Sequence, residues 1–171
     1  MMKPQDIIVA VKLLVVNGRK TTYAELANSL RISASEIHGA VNRLKESHIL
    51  DSFTGLIRKN SFEEFVLHGI HYVFPVSPGN PARGVLTGVA SPFLKDDFEL
   101  GNSAELYVWP YSSGNNRGIT IKPLYKSVPE ICMRDTTLYY WFSIIEMFRI
   151  NNARERTVAM NHLQKLLKEI T

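Results

Sequence analysis

Ser35, His38, Asn42 and Arg43 are spaced so that one helix would carry all four on its outer side. They combine a hydroxyl, an imidazole, a carboxamide and a guanidinium, the donors and acceptors that match base edges in a major groove. Gly39 and Glu46 share that side. Around them Arg19, Lys20, Lys45, Arg58 and Lys59 supply cations suited to phosphate oxygens. The chemistry implied is recognition of double-stranded DNA. Four residues would approach bases, and five cations would hold the backbone.

Such a set works only if short helices hold it in place. Apolar residues recur at helical spacing at Tyr23, Leu26, Ala27 and Leu30, and again at Ile37, Ala40, Val41 and Leu44. Ser33 and Glu36 have the spacing of a capping box, which starts the second of these helices near Ala34. An earlier helix is expected from Pro4, with Ile8, Val11, Leu14 and Val15 as its buried stripe and Gly18 as its end. Its run IIVAVKLLVV is broken by Lys12 and is too short for a bilayer, so neither leader nor anchor is expected there. After a half-buried His48, Ile49 and Leu50 would enter a strand and Phe53-Thr54-Gly55 would turn. Leu56 to Lys59 would return as a second strand, a basic wing with Arg58 and Lys59 beside the duplex.

Charge placement agrees with this. The formal net charge is +4, and residues 1–60 carry nine Lys or Arg against five Asp or Glu, while the remainder balances. A single cysteine, Cys132, allows no internal disulfide and no thiolate cluster, which points to a cytoplasmic protein with a buried thiol.

From Ser61 the character changes. Ser61 with Glu63 and Glu64 resembles a helix start, and Phe62, Phe65, Val66 and Gly69 sustain a short connecting helix. Strands are expected over 72–76, 85–89, 105–109 and 118–121. FPVSPGNPARGVLT at 74–87 is echoed by WPYSSGNNRGITI at 109–121, so that Arg83-Gly84 matches Arg117-Gly118. Two arginines on similar loops could grip a carboxylate or phosphate of a ligand or partner. The plainer alternative pairs them with internal acids such as Glu99, Glu105 or Glu130. Asp135 can cap an aromatic helix running to Arg149 and striped by Leu138, Trp141, Phe142, Ile145 and Phe148, and a final helix over 153–170 follows. The two would form either a dimer interface or an internal helical hairpin.

Catalysis finds little footing. His68 and His71 lie three apart with only Glu64 nearby, and Asp96, Asp97 and Glu99 look like an exposed acidic loop. Neither a nucleophile elbow nor a phosphate-binding glycine loop is present. No enzymatic activity, cofactor or metal is expected.

The segment TTYAELANSLRISASEIHGAVNRLKES with its following hairpin, about a third of the chain, resembles the DNA-binding half of bacterial winged helix-turn-helix regulators of the MarR-like type. HGIHYVFP, ARGVLTG, RGITIKPLYKSVPE and ARER are similar to a group of bacterial winged-helix proteins, some of which accompany toxin-like or defence genes. The resemblance implies a regulatory role, although the dimerising helices of ordinary MarR-type proteins flank the winged domain, whereas here a Pro- and Gly-rich β segment intervenes. The expectation is an α+β chain: a winged helix-turn-helix over 1–60, then a dimerising, sensing or partner-binding part over 61–171 with a small β segment and a C-terminal helical pair. It would act as a dimeric, sequence-specific repressor. The alternative is an antitoxin or adaptor whose 61–171 part binds a protein and whose DNA binding is secondary.

Overall fold

A computed structural model describes residues 1–98 and 106–171. Its α+β architecture is built from helices α1 (Pro4–Val16), α2 (Tyr23–Leu30), α3 (Ala34–Glu46), α4 (Lys59–His68), α5 (Ile70–Val73), α6 (Val128–Cys132), α7 (Thr136–Ile150) and α8 (Ala153–Glu169). Strands β1 (Pro81–Leu86), β2 (Tyr107–Pro110) and β3 (Asn116–Thr120) lie between α5 and α6. Of the expected acidic residues, Glu99 and Glu105 lie outside the described residues.

Local chemistry sets the helix ends. Thr22 and Glu25 form a reciprocal capping box on α2, with Thr22 N–H donating to the Glu25 carboxylate at 2.7 Å and Glu25 N–H to the Thr22 hydroxyl at 3.1 Å. Ser33 caps α3 by accepting from Glu36 N–H at 3.2 Å. The expected return bond is missing, because the Glu36 carboxylate instead accepts from the Gln5 carboxamide of α1 at 2.7 Å. Asp135 caps α7 as expected, accepting from Leu138 N–H at 2.9 Å.

Helix α1 is the hinge of the packing. Residues 5 to 11 are all buried, since α1 is enclosed by α2 and α3 on one side and by α7 on the other. One hydrophobic core therefore runs from Ile7 to Leu167 and joins the two expected parts. Helix α7 is an internal wall, with every residue from Trp141 to Arg149 buried. It packs against α8, whose Ala159, Leu163, Leu166 and Leu167 face inward. The helical hairpin is thus intramolecular, and α7 has no free apolar face to offer a second copy.

The strands close on one another: β1 pairs antiparallel with both β2 and β3, while β2 and β3 pair in parallel. Such tight closure needs glycine. A Cβ at Gly84 would collide with the Trp109 carbonyl, and one at Gly118 with the Leu106 carbonyl. The strand expected over 72–76 is instead the end of helix α5 and an irregular segment, and β1 begins four residues earlier than expected.

A buried ion pair on α7 fastens this module. Glu146 accepts from Trp109 Nε1–H of β2 at 2.6 Å and from Arg149. Arg149 donates to the Phe74 carbonyl before β1 at 3.0 Å and to the Lys122 carbonyl after β3 at 3.1 Å. Burial pushes the Glu146 carboxyl upward, opposed by the charge of Arg149 and by its hydrogen bonds. Tyr139 Oη–H donates to the Leu86 carbonyl at 2.5 Å. Cys132 is buried, and desolvation raises its thiol. Among the described residues no helix is long and apolar enough to cross a membrane.

Candidate nucleic-acid interface

With Ile37, Ala40, Val41 and Leu44 committed to the core, α3 turns Ser35, His38 and Asn42 to solvent. These three and Lys45 recur at intervals of three or four residues and make one stripe. The Asn42 carboxamide lies 3.4 Å from His38 Nδ1, and the His38 ring meets Tyr23 of α2 edge-on at 5.9 Å. Tyr23, expected in the shared core, is 39% exposed and adds an aromatic edge to the polar stripe.

Arg43 departs from the expected role. It stands one residue past Asn42, roughly 100° further round the helix, and reaches inward to α1. Its Nε lies 2.8 Å and its Nη2 2.7 Å from the two carboxylate oxygens of Asp6, which is fully buried. This bidentate bond to Asp6 raises the guanidinium above its ordinary value. The side chain that looked available to bases holds two helices together.

The cations divide in the same way. Arg19 and Lys20 are exposed in the loop after α1. Arg19, Thr21, Tyr23, Lys45, Thr54 and Gly55 help line a cleft of about 240 Å³ between that loop, α3 and the 51–55 turn. Arg58 bonds the Asp51 carboxylate at 2.7 Å and serves as the N-cap residue of α4. Lys59 is the first residue of α4, half-buried, and its Nζ donates to the Ile170 carbonyl. The second wing strand expected to carry these two is absent: the hairpin has a single bridge, Leu50 to Ile57. Helix α4 begins at Lys59, so the chain turns away where the strand would have continued.

Asp51 builds the turn instead. Its carboxylate accepts from the amides of Phe53 and Thr54, each at 2.9 Å. The Thr54 amide first, then Arg58 and the Phe53 amide, hold the Asp51 carboxyl below the usual carboxylate range. At its tip Phe53 is 98% exposed, although the composition of Phe53-Thr54-Gly55 signals only a turn. His48 takes the left-handed conformation that ends α3, with φ 60°, and is exposed rather than half-buried.

The other candidates fall elsewhere. His68 ends α4 and His71 lies on α5, and among the described residues no three His, Cys, Asp or Glu side chains gather as a metal site. Asp97 contacts His162 Nε2 of α8 at 2.6 Å, and His162 in turn bonds the Tyr140 hydroxyl. Arg83 and Arg117 come together as directly opposed residues of β1 and β3.

No family model, no curated protein and no solved structure matches this chain.

Proposed function

We propose that the chain is a sequence-specific regulator of transcription that binds double-stranded DNA in the manner of a winged helix-turn-helix and acts as a dimeric repressor. The observation that carries this reading is the solvent-facing stripe Ser35, His38, Asn42 and Lys45 on α3, flanked by Arg19 and Lys20 and, among the described residues, free of internal ion pairs. Ser35, His38 and Asn42 would meet base edges, while Arg19, Lys20 and Lys45 would hold phosphates. Asn42 suits adenine, to which a carboxamide donates and accepts at once. The 51–55 turn, with Arg58 at its base, would lie along the backbone as a short wing. Arg43 and Lys59 are left out of the contact set because Asp6 and Ile170 occupy them.

The test is binding of the purified chain to DNA upstream of its own gene against a scrambled duplex, over a salt series, with light scattering of the complex. A preference for the upstream DNA, a steep fall in affinity with salt and two copies per site are expected. Because α7 is consumed inside the chain, such a pair must meet through another face. Failure to bind any duplex at low salt would overturn the reading in favour of a protein-binding adaptor.

A further inference from the structure

The two halves of the repeated segment pair with each other. In the antiparallel register of β1 and β3, Arg83 faces Arg117, with Ala82 opposite Gly118 and Gly84 opposite Asn116. Directly opposed residues hold their Cβ atoms about 4.5–5.5 Å apart on one face of the sheet, and like charges there are destabilising. Both arginines are exposed, and neither takes part in an ion pair among the described residues. Among the described residues, one long contact of 3.5 Å from Arg117 Nη2 to the Pro81 carbonyl is the hydrogen bond made by either guanidinium. The strands therefore hold two positive charges side by side and supply no counter-charge.

Between them lies a cleft of about 380 Å³ lined by Arg83, Gly114, Asn115, Asn116 and Arg117. Gly114 rests on the backbone of Gly84 so closely that a Cβ would strike the Gly84 carbonyl, so glycine is what lets this loop lie against β1 next to Arg83. The lining is two guanidinium forks, two carboxamides and bare backbone. A carboxylate carries one charge and presents one bidentate edge, whereas a terminal phosphate carries nearly two charges and three acceptor oxygens, enough for both forks. A nucleic-acid strand fits less well: its phosphates form a row, yet β1, β2 and β3 contain no cation besides these two.

We propose that Arg83 and Arg117, supported by Asn115 and Asn116, bind the dianionic phosphate of a small molecule. The site stands whether or not the chain binds DNA.

Calorimetric titration of the full chain at constant ionic strength tests it, with inorganic phosphate, adenosine 5′-monophosphate and acetate as probes. Saturable binding of phosphate at one site is expected, weakened at least tenfold by Arg83→Gln or Arg117→Gln, retained by Lys126→Gln, which removes an exposed cation in the turn before α6 that does not line the cleft, and absent with acetate. Tighter binding of the monophosphate than of phosphate assigns the site to a phosphorylated organic ligand; the reverse order assigns it to free phosphate. Equal heats from acetate, or phosphate binding that survives both arginine substitutions, overturn the proposal. In phosphate-free, low-salt buffer Arg117→Gln should melt no lower than the parent, because removing one of two opposed like charges relieves repulsion. A clear drop would make Arg117 a structural residue and overturn the site. Loss of duplex binding in both arginine variants, with no phosphate uptake by the parent, would overturn it in favour of a nucleic-acid surface.

Discussion

Arg43 of α3 clasps Asp6 of α1 with two nitrogens, Nε at 2.8 Å and Nη2 at 2.7 Å, while Asp6 also accepts from the Lys3 amide at 2.7 Å. The carboxylate is fully buried, while the Arg43 side chain is half-buried, at 18% exposure. The pair sets how α3 sits on α1, and thereby where Ser35, His38 and Asn42 point. Truncating the cation strands a buried charge, so Arg43→Met should cost about 3–5 kcal/mol in urea unfolding. The double substitution Asp6→Leu with Arg43→Met should recover most of that loss. An Arg43→Met chain as stable as the parent would show that the pair does not hold the helices.

Base reading and backbone holding separate in their response to sequence. Asn42→Ala should weaken the preferred duplex by about 1–3 kcal/mol and leave random duplex nearly unchanged. Arg19→Ala should weaken all duplexes alike and lower the salt slope by about one. Equal losses on preferred and random DNA for Asn42→Ala would remove it from the base-contacting set.

The strand module rests on backbone approaching backbone at Gly84. Gly84→Ala places a methyl against the Trp109 carbonyl, and such overpacking costs typically about 1–3 kcal/mol or more. Trp109 and Trp141 are the two tryptophans of the chain, so the change should appear as lowered melting together with altered tryptophan fluorescence. An unchanged emission spectrum and melting temperature would show that the strands can separate freely.

Acid should open the 51–55 turn late. The Asp51 carboxyl titrates below its unfolded value, so its contribution to stability is complete above about pH 3.9 and is lost as pH falls toward the lower folded value. The amide resonances of Phe53 and Thr54, which donate to Asp51, should hold their positions from neutral pH down to about 4 and move only below it. Movement centred near pH 5 would contradict the turn.

The α2–α3 unit was legible because period and caps agree: apolar residues recur every three or four positions, and Ser33 starts α3 where expected. Asp135 announced α7 for the same reason. Roles fixed by distant partners were not legible. Nothing within α3 tells that Arg43 meets Asp6, thirty-seven residues away, and nothing near Glu146 announces Trp109. The wing was overdrawn since Leu56 to Lys59 suits a strand by composition, while packing of Phe62 and Val66 pulls the chain into α4 from Lys59 onward. In the strand module the echo of two Arg-Gly steps was visible, but their antiparallel self-pairing needs register, which residue types alone do not specify.

Arg149 has a consequence for chain connectivity. One guanidinium binds the carbonyls of Phe74 and Lys122, so the polypeptide leaves the helical body and rejoins it within the span of a single side chain. Topologically the strands are an insert with a common entrance and exit. The entropy of closing such a loop grows only with the logarithm of its length. Segments added at the exposed turn around Ser112 and Ser113 should therefore leave α1, α3 and α7 in place, which makes that turn a suitable point for attaching a label or a tag.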